Sequence, residues 1–133
     1  MREEVRRLVE AYLEKAWRKL DVAKRLLKSE DWEDAVSRAY YAAFHAAQAL
    51  LLTEGEEAKN HRGVVTLFSL LFVKTGRLPR HLGKFLANLR DERESGDYEV
   101  LSWVDRETAE RAVKEAEEFL KEAEHYLRAL GLP

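Results

Sequence analysis

Cysteine is absent from this 133-residue chain, proline occurs twice and glycine six times. Without thiols the chain can be neither a disulfide scaffold nor a thiolate metal site, and the expectation is a reducing, intracellular setting. The shortage of turn residues, with no stretch of period-two alternation, excludes a sandwich or barrel of short strands. Long apolar runs are missing too. The opening stretch MREEVRRLVEAYL is charged throughout and fits neither a secretion signal nor a membrane span, so a soluble, cytoplasmic protein is expected. No histidine and carboxylate have the spacing of a zinc motif, and there is no Gly-rich phosphate loop, nucleophile elbow or DNA-reading signature. Neither a metal nor a cofactor is expected.

What is present is helix. Apolar side chains make up 46% of the residues and charged ones 36%. Val5, Leu8, Val9, Tyr12, Ala16, Leu20, Ala23 and Leu27 step by three and four, which predicts an amphipathic helix over about 3–29. Asp31 is placed to cap a second helix, with its stripe from Ala35 to Leu51 and its stop at Gly55. Asn60 can cap a shorter helix ending at Gly76. Pro79 suits the first turn of a fourth that fades near Gly96, and Asp105 can cap a last one, with Leu130 in its stripe and Gly131 at its end. Length sets one domain over 1–133. The predicted fold is all-α: an up-and-down bundle of four main helices plus a short extra one. The second helix carries alanine around nearly its whole circumference, which places it at the bundle centre, where neighbours can approach closely.

Charge is unevenly distributed. Between Glu57 and Asp91 there is no carboxylate, while Lys59, Arg62, Lys74, Arg77, Arg80, Lys84 and Arg90 contribute seven of the 23 basic residues; all 25 acidic residues lie elsewhere. Such a stretch favours an anionic partner, or else neutralises the acidic helices of its own fold or of a second copy.

Two groups of polar residues stand out. In SRAYYAAFHAAQAL, residues Arg38, Tyr41, His45 and Gln48 recur at three, four and three positions and share a helix face, where they can bind a phosphate or simply fill a seam. In LRDERESGDYEV, the stripe of Leu82, Phe85, Leu86 and Leu89 continues to Arg93, whose guanidinium therefore faces inward and needs an acceptor: Asp97, Glu94, a tyrosine hydroxyl, or a ligand phosphate. Arg90 lies one turn earlier, and Gly96 is expected to break the helix and present Asp97 and Tyr98 from a loop. At NHRGV, His61 and Arg62 sit beside free N–H groups of a helix start, a plain cap or an anion site. His81 and His125 are expected on the surface.

The segments SRAYYAAFHAAQALL, NHRGVVTLF and FVKTGRLPRHLGKFLANLRDERESGDY resemble the HEPN domain, in particular the small stand-alone proteins that accompany minimal nucleotidyltransferases. The likeness covers about residues 5–130. It implies a helical bundle, a homodimer, and one half of a toxin–antitoxin pair. In many such proteins it also implies a metal-independent ribonuclease whose Arg is followed after four to six residues by His. The Arg of that motif corresponds to Arg93. The His position falls at Asp97 or Tyr98, and no histidine occurs from 82 to 124.

Three readings follow in order of preference. The first is a homodimeric module that binds nucleotide, RNA or a minimal nucleotidyltransferase, with Arg38, Tyr41, His61, Arg62, Arg90 and Asp97 as phosphate- or ligand-binding residues. The second is a ribonuclease toxin using Arg93 with Tyr98 or His45, and the third is a purely structural protein.

Overall fold

A computed structural model of the chain describes residues 1–58, 60–98, 100 and 104–132, Tyr98 through its backbone alone. It contains α1 (Glu3–Lys28), α2 (Trp32–Leu52), α3 (His61–Phe68), α4 (Arg80–Tyr98) and α5 (Arg106–Ala129). One π-helical turn, Ser69–Val73, continues α3. There is no strand among the described residues. Four long helices and one short one therefore make the bundle, as the periodicity predicts.

The helix ends follow from local chemistry. The Asn60 and Asp105 side chains accept the backbone N–H groups of Gly63 (2.7 Å) and Thr108 (2.8 Å), capping α3 and α5. Asp31 caps nothing; its carboxylate accepts the Ser29 hydroxyl at 2.6 Å. The α1–α2 turn is instead closed from the α1 side. Glu30 takes a left-handed φ of 64°, so that its N–H reaches the Leu27 carbonyl and that of Asp31 reaches Leu26. Gly55, at φ 71°, makes the equivalent closure at the end of α2, where the missing Cβ removes the strain.

The core is organised around α2, which packs against α1, α3, α4 and α5. Ala35, Ala39, Ala42, Ala43, Ala46, Ala47 and Ala49 are all fully buried, on several faces of one helix. Methyl groups keep the interaxial distances short, and the volume they leave is filled from neighbouring elements by Phe68, Phe72, Phe119 and Leu120. Along α1 the buried line is Val9, Leu13, Ala16, Leu20 and Ala23, so Leu8, about 100° round the helix from Val9, lies on the shoulder and is exposed. Leu130 is exposed as well, because α5 ends at Ala129.

The largest departure from the sequence expectation is at Gly96. The helix runs through it to Tyr98, so Asp97 stands on α4 and not in a loop. Gly96 has no left-handed φ, and a Cβ there would meet Val104 Cγ2 at 3.4 Å and Glu33 Cγ at 3.7 Å, ordinary contact distances. Glycine was read as a stop, but packing against the α1–α2 corner and the start of α5 outweighs its weak helix propensity. Gly96→Ala is therefore expected to stabilise the protein by about 0.5–1 kcal/mol in urea unfolding, the helix-propensity difference. A helix that ended at this position in a left-handed turn would give a loss instead.

Candidate ligand site around Arg93

Arg93 is the buried charge of the described residues, 9% exposed. Its place follows from α4 geometry: Leu82, Leu86 and Leu89 are fully buried, and the next position on that face is 93. The guanidinium lies 5.5 Å from the centre of the Tyr40 ring and 5.3 Å from that of Tyr41. Nη2 donates to the Tyr41 hydroxyl at 2.9 Å, and Nε is 3.0 Å from the Asp97 carboxylate, one turn along the same helix. Desolvation of the cation is thus offset by two ring faces, a hydroxyl and a carboxylate. Arg90, one turn earlier, pairs with Glu94 at 3.3 Å and is only partly buried.

The adjacent tyrosines of α2 divide the work. Tyr40 is fully buried, and its hydroxyl lies 2.6 Å from Nδ1 of His61, the first residue of α3. Burial raises the phenol pKa well above its usual value, with Arg93 and Arg90 opposing, so Tyr40 keeps its proton. His61 also stacks on Phe44 at 4.4 Å and meets Tyr41 edge-on at 5.8 Å. Its pKa is lowered, first by burial and then by Arg93 and Arg90, against Glu94. The imidazole is therefore neutral at pH 7.

His45 belongs to the other end of the same stripe. It stacks on Tyr12 of α1 at 6.1 Å, and its Nδ1 is 3.0 Å from Gln48 Oε1. Tyr41 stands between it and Arg93, its ring 6.2 Å from the imidazole. Burial lowers the His45 pKa, opposed by Gln48 and reinforced by Lys15 and Lys19. Beyond it a groove of about 340 Å³ is lined by Tyr12, Gln48, Leu51, Leu52, Glu56, Glu57 and Ala58. Of the stripe predicted from sequence, Tyr41, His45 and Gln48 thus stay together, while Arg38 is exposed, as is Arg62. The Tyr98 side chain lies outside the described residues. The Tyr40–His61 bond was missed in the sequence: the residues are 21 apart, and Tyr40 reads as part of the apolar stripe. Only the rule that a buried hydroxyl needs an acceptor pointed to it.

Some of the basic stretch is neutralised at home: Arg77 pairs with Glu54 at the end of α2, and His81 lies 3.3 Å from Glu118 of α5. His81 and His125 are on the surface, as expected, while Arg62, Lys74, Arg80 and Lys84 are exposed. Among the described residues no group of three or more His, Cys, Asp or Glu could hold a metal, and no helix is long and apolar enough to cross a membrane.

The profile of the HEPN domain matches residues 9–129. The chain belongs to the HEPN family. A Thermotoga maritima protein of the UPF0332 group is 39% identical over 88% of this HEPN chain and 89% of its own length. A Methanocaldococcus jannaschii protein named as a candidate toxin is 37% identical over 90% of this chain and 89% of its own length. The crystal structure of TT1696 from Thermus thermophilus superposes with a TM-score of 0.77 at 24% identity, covering 89% of this chain and 97% of that one, and so shares the fold.

Two predictions follow for this HEPN domain. Arg93→Met strands the part-buried Tyr41 hydroxyl and removes the ion pair to Asp97, and should lower stability by about 1–3 kcal/mol in urea unfolding. The second concerns pH. A histidine whose folded pKa is depressed contributes stability that is complete above its unfolded pKa, near 6.5, and is lost as pH falls through the folded value. The urea midpoint should therefore fall between pH 7 and 5, and His45→Gln, which cannot titrate, should make that fall shallower.

Proposed function

We propose that this HEPN protein is a binding module for the phosphate groups of RNA or nucleotide, and that it works as a homodimer beside a minimal nucleotidyltransferase in the cytoplasm. The observation that carries the reading is the guanidinium of Arg93 packed against the rings of Tyr40 and Tyr41, in one cluster with His61 and with Arg90 one turn away. Cations beside aromatic faces suit a phosphate with an attached base, since every base offers a π face and every phosphate a charge. In this reading Arg93 and Asp97 set the framework and the field, and a ligand meets Arg90, His61, Arg62 and the outer side of Tyr41. Arg38, exposed on α2, extends the basic rim. The stretch without carboxylates between Glu57 and Asp91 supports the same ligand class, because a cationic segment attracts anionic partners, and Glu94, the acidic group that acts on His61, is already paired with Arg90.

A second reading, a metal-independent ribonuclease toxin, is favoured by the relatives named as candidate toxins. It would use Arg93 with Tyr98 or His45 in place of the usual histidine. Binding of a fluorescein-labelled single-stranded oligoribonucleotide separates the two. The binding module should hold RNA intact, with affinity falling about tenfold or more between 50 and 200 mM salt for about three phosphate contacts. Arg90→Glu should weaken binding by at least a further tenfold. A salt-insensitive affinity would reject this mode, and RNA cleavage abolished in Arg93→Ala would establish the ribonuclease.

A further inference from the structure

The Tyr40–His61 contact determines what this histidine, which meets the rings of both tyrosines, can do. Tyr40 has no exposed surface, and a buried hydroxyl that keeps its proton must donate it. The acceptor 2.6 Å away is His61 Nδ1. An imidazole that accepts at Nδ1 while neutral carries its one proton on Nε2. Nε2 lies across the ring from Nδ1, on the side of the half-buried imidazole turned away from the fully buried Tyr40. The ring plane is fixed as well, stacked on Phe44 with 20° between planes. On α4 the groups whose charge acts on this imidazole are Arg93 and Arg90, both cationic, with Glu94 opposing; Tyr40, Tyr41 and Phe44 face it from α2.

Resting on the phosphate-binding reading above, we propose that the Tyr40 hydroxyl locks His61 as a neutral Nε2–H donor, and that this N–H, beside Arg90 and Arg93, is the group that hydrogen-bonds a ligand phosphate oxygen. The same lock removes the lone pair that proton abstraction needs. With Nδ1 occupied by Tyr40 and Nε2 protonated, His61 holds a phosphate and takes no proton from a 2′-hydroxyl. The site then binds a phosphodiester without cleaving it, and His61, the histidine on which the Arg93 charge acts, is disabled as a base by its own fold. The shared ligand chemistry is a phosphate oxygen, either inside an RNA strand or on a free nucleotide.

Long-range proton–nitrogen NMR of the uniformly labelled protein reads the tautomer directly. In the free protein at pH 7, His61 should show an unprotonated Nδ1 and a protonated Nε2; the reverse pattern, or two averaged nitrogens, would overturn the lock whether or not RNA binds. Titration with an oligoribonucleotide and, separately, with AMP distinguishes the two phosphate sources, and in whichever binds the His61 Nε2 signal should move while Nδ1 stays. Binding that leaves Nε2 unmoved overturns the donor role. Absence of binding by both probes overturns it together with the functional reading, while the free-protein spectrum still decides the lock.

Variants give an independent check. His61→Ala should weaken binding about tenfold or more, the loss of one hydrogen bond to a charged acceptor, and His61→Gln, which restores an N–H, should recover part of it. Equal losses in both would count against a donor. Tyr40→Phe should release the tautomer and spread the His61 signals over both forms; because this change is in the core, its folding is checked by circular dichroism, and the His61 pair carries the test if it fails to fold.

Discussion

Everything in this bundle depends on how closely its helices can approach α2. A helix with methyl groups on several faces admits neighbours on all of them, and α1, α3, α4 and α5 each pack against it. Nearness has a consequence for polar side chains. Where α2 does carry large residues, at Tyr40, Tyr41, Phe44 and His45, they have no empty layer to fill and must project into the seams beside α1, α3 and α4. A small-residue helix therefore concentrates its aromatic and polar chemistry into one band.

That band is an electrostatic unit. Arg93 enters it because α4 presents the same face for three turns, and it can stay there because two aromatic faces, a hydroxyl and a carboxylate replace its water. Its charge then acts on the neighbours: together with burial it holds His61 neutral, and it partly counters the effect of burial on Tyr40. Tyr40 and His61 thus both answer to the charge of Arg93. The two histidines of the band nevertheless differ in setting, His61 under two arginines of α4 and His45 under two lysines of α1, with Tyr41 between them.

One turn beyond Arg93 on α4 stands Asp97, which is spent on an ion pair with that same arginine. An aspartate four residues on, along a continuous helix, is well placed to fix the guanidinium.

The sequence by itself determined the helices, their order and most of their ends, because periodicity, Asn and Asp caps and left-handed glycines act within a few residues. It also determined that α2 is central and that Arg93 points inward, since both follow from which residues share a helix face. Whether Gly96 ends α4 was decided only by tertiary contact, where Glu33 and Val104 pack beside a continuing helix. The same holds for the partner of Tyr40. A hydroxyl on α2 and an imidazole at the start of α3 meet because the chain between them folds back across the bundle, and no spacing rule along one helix reaches across that distance.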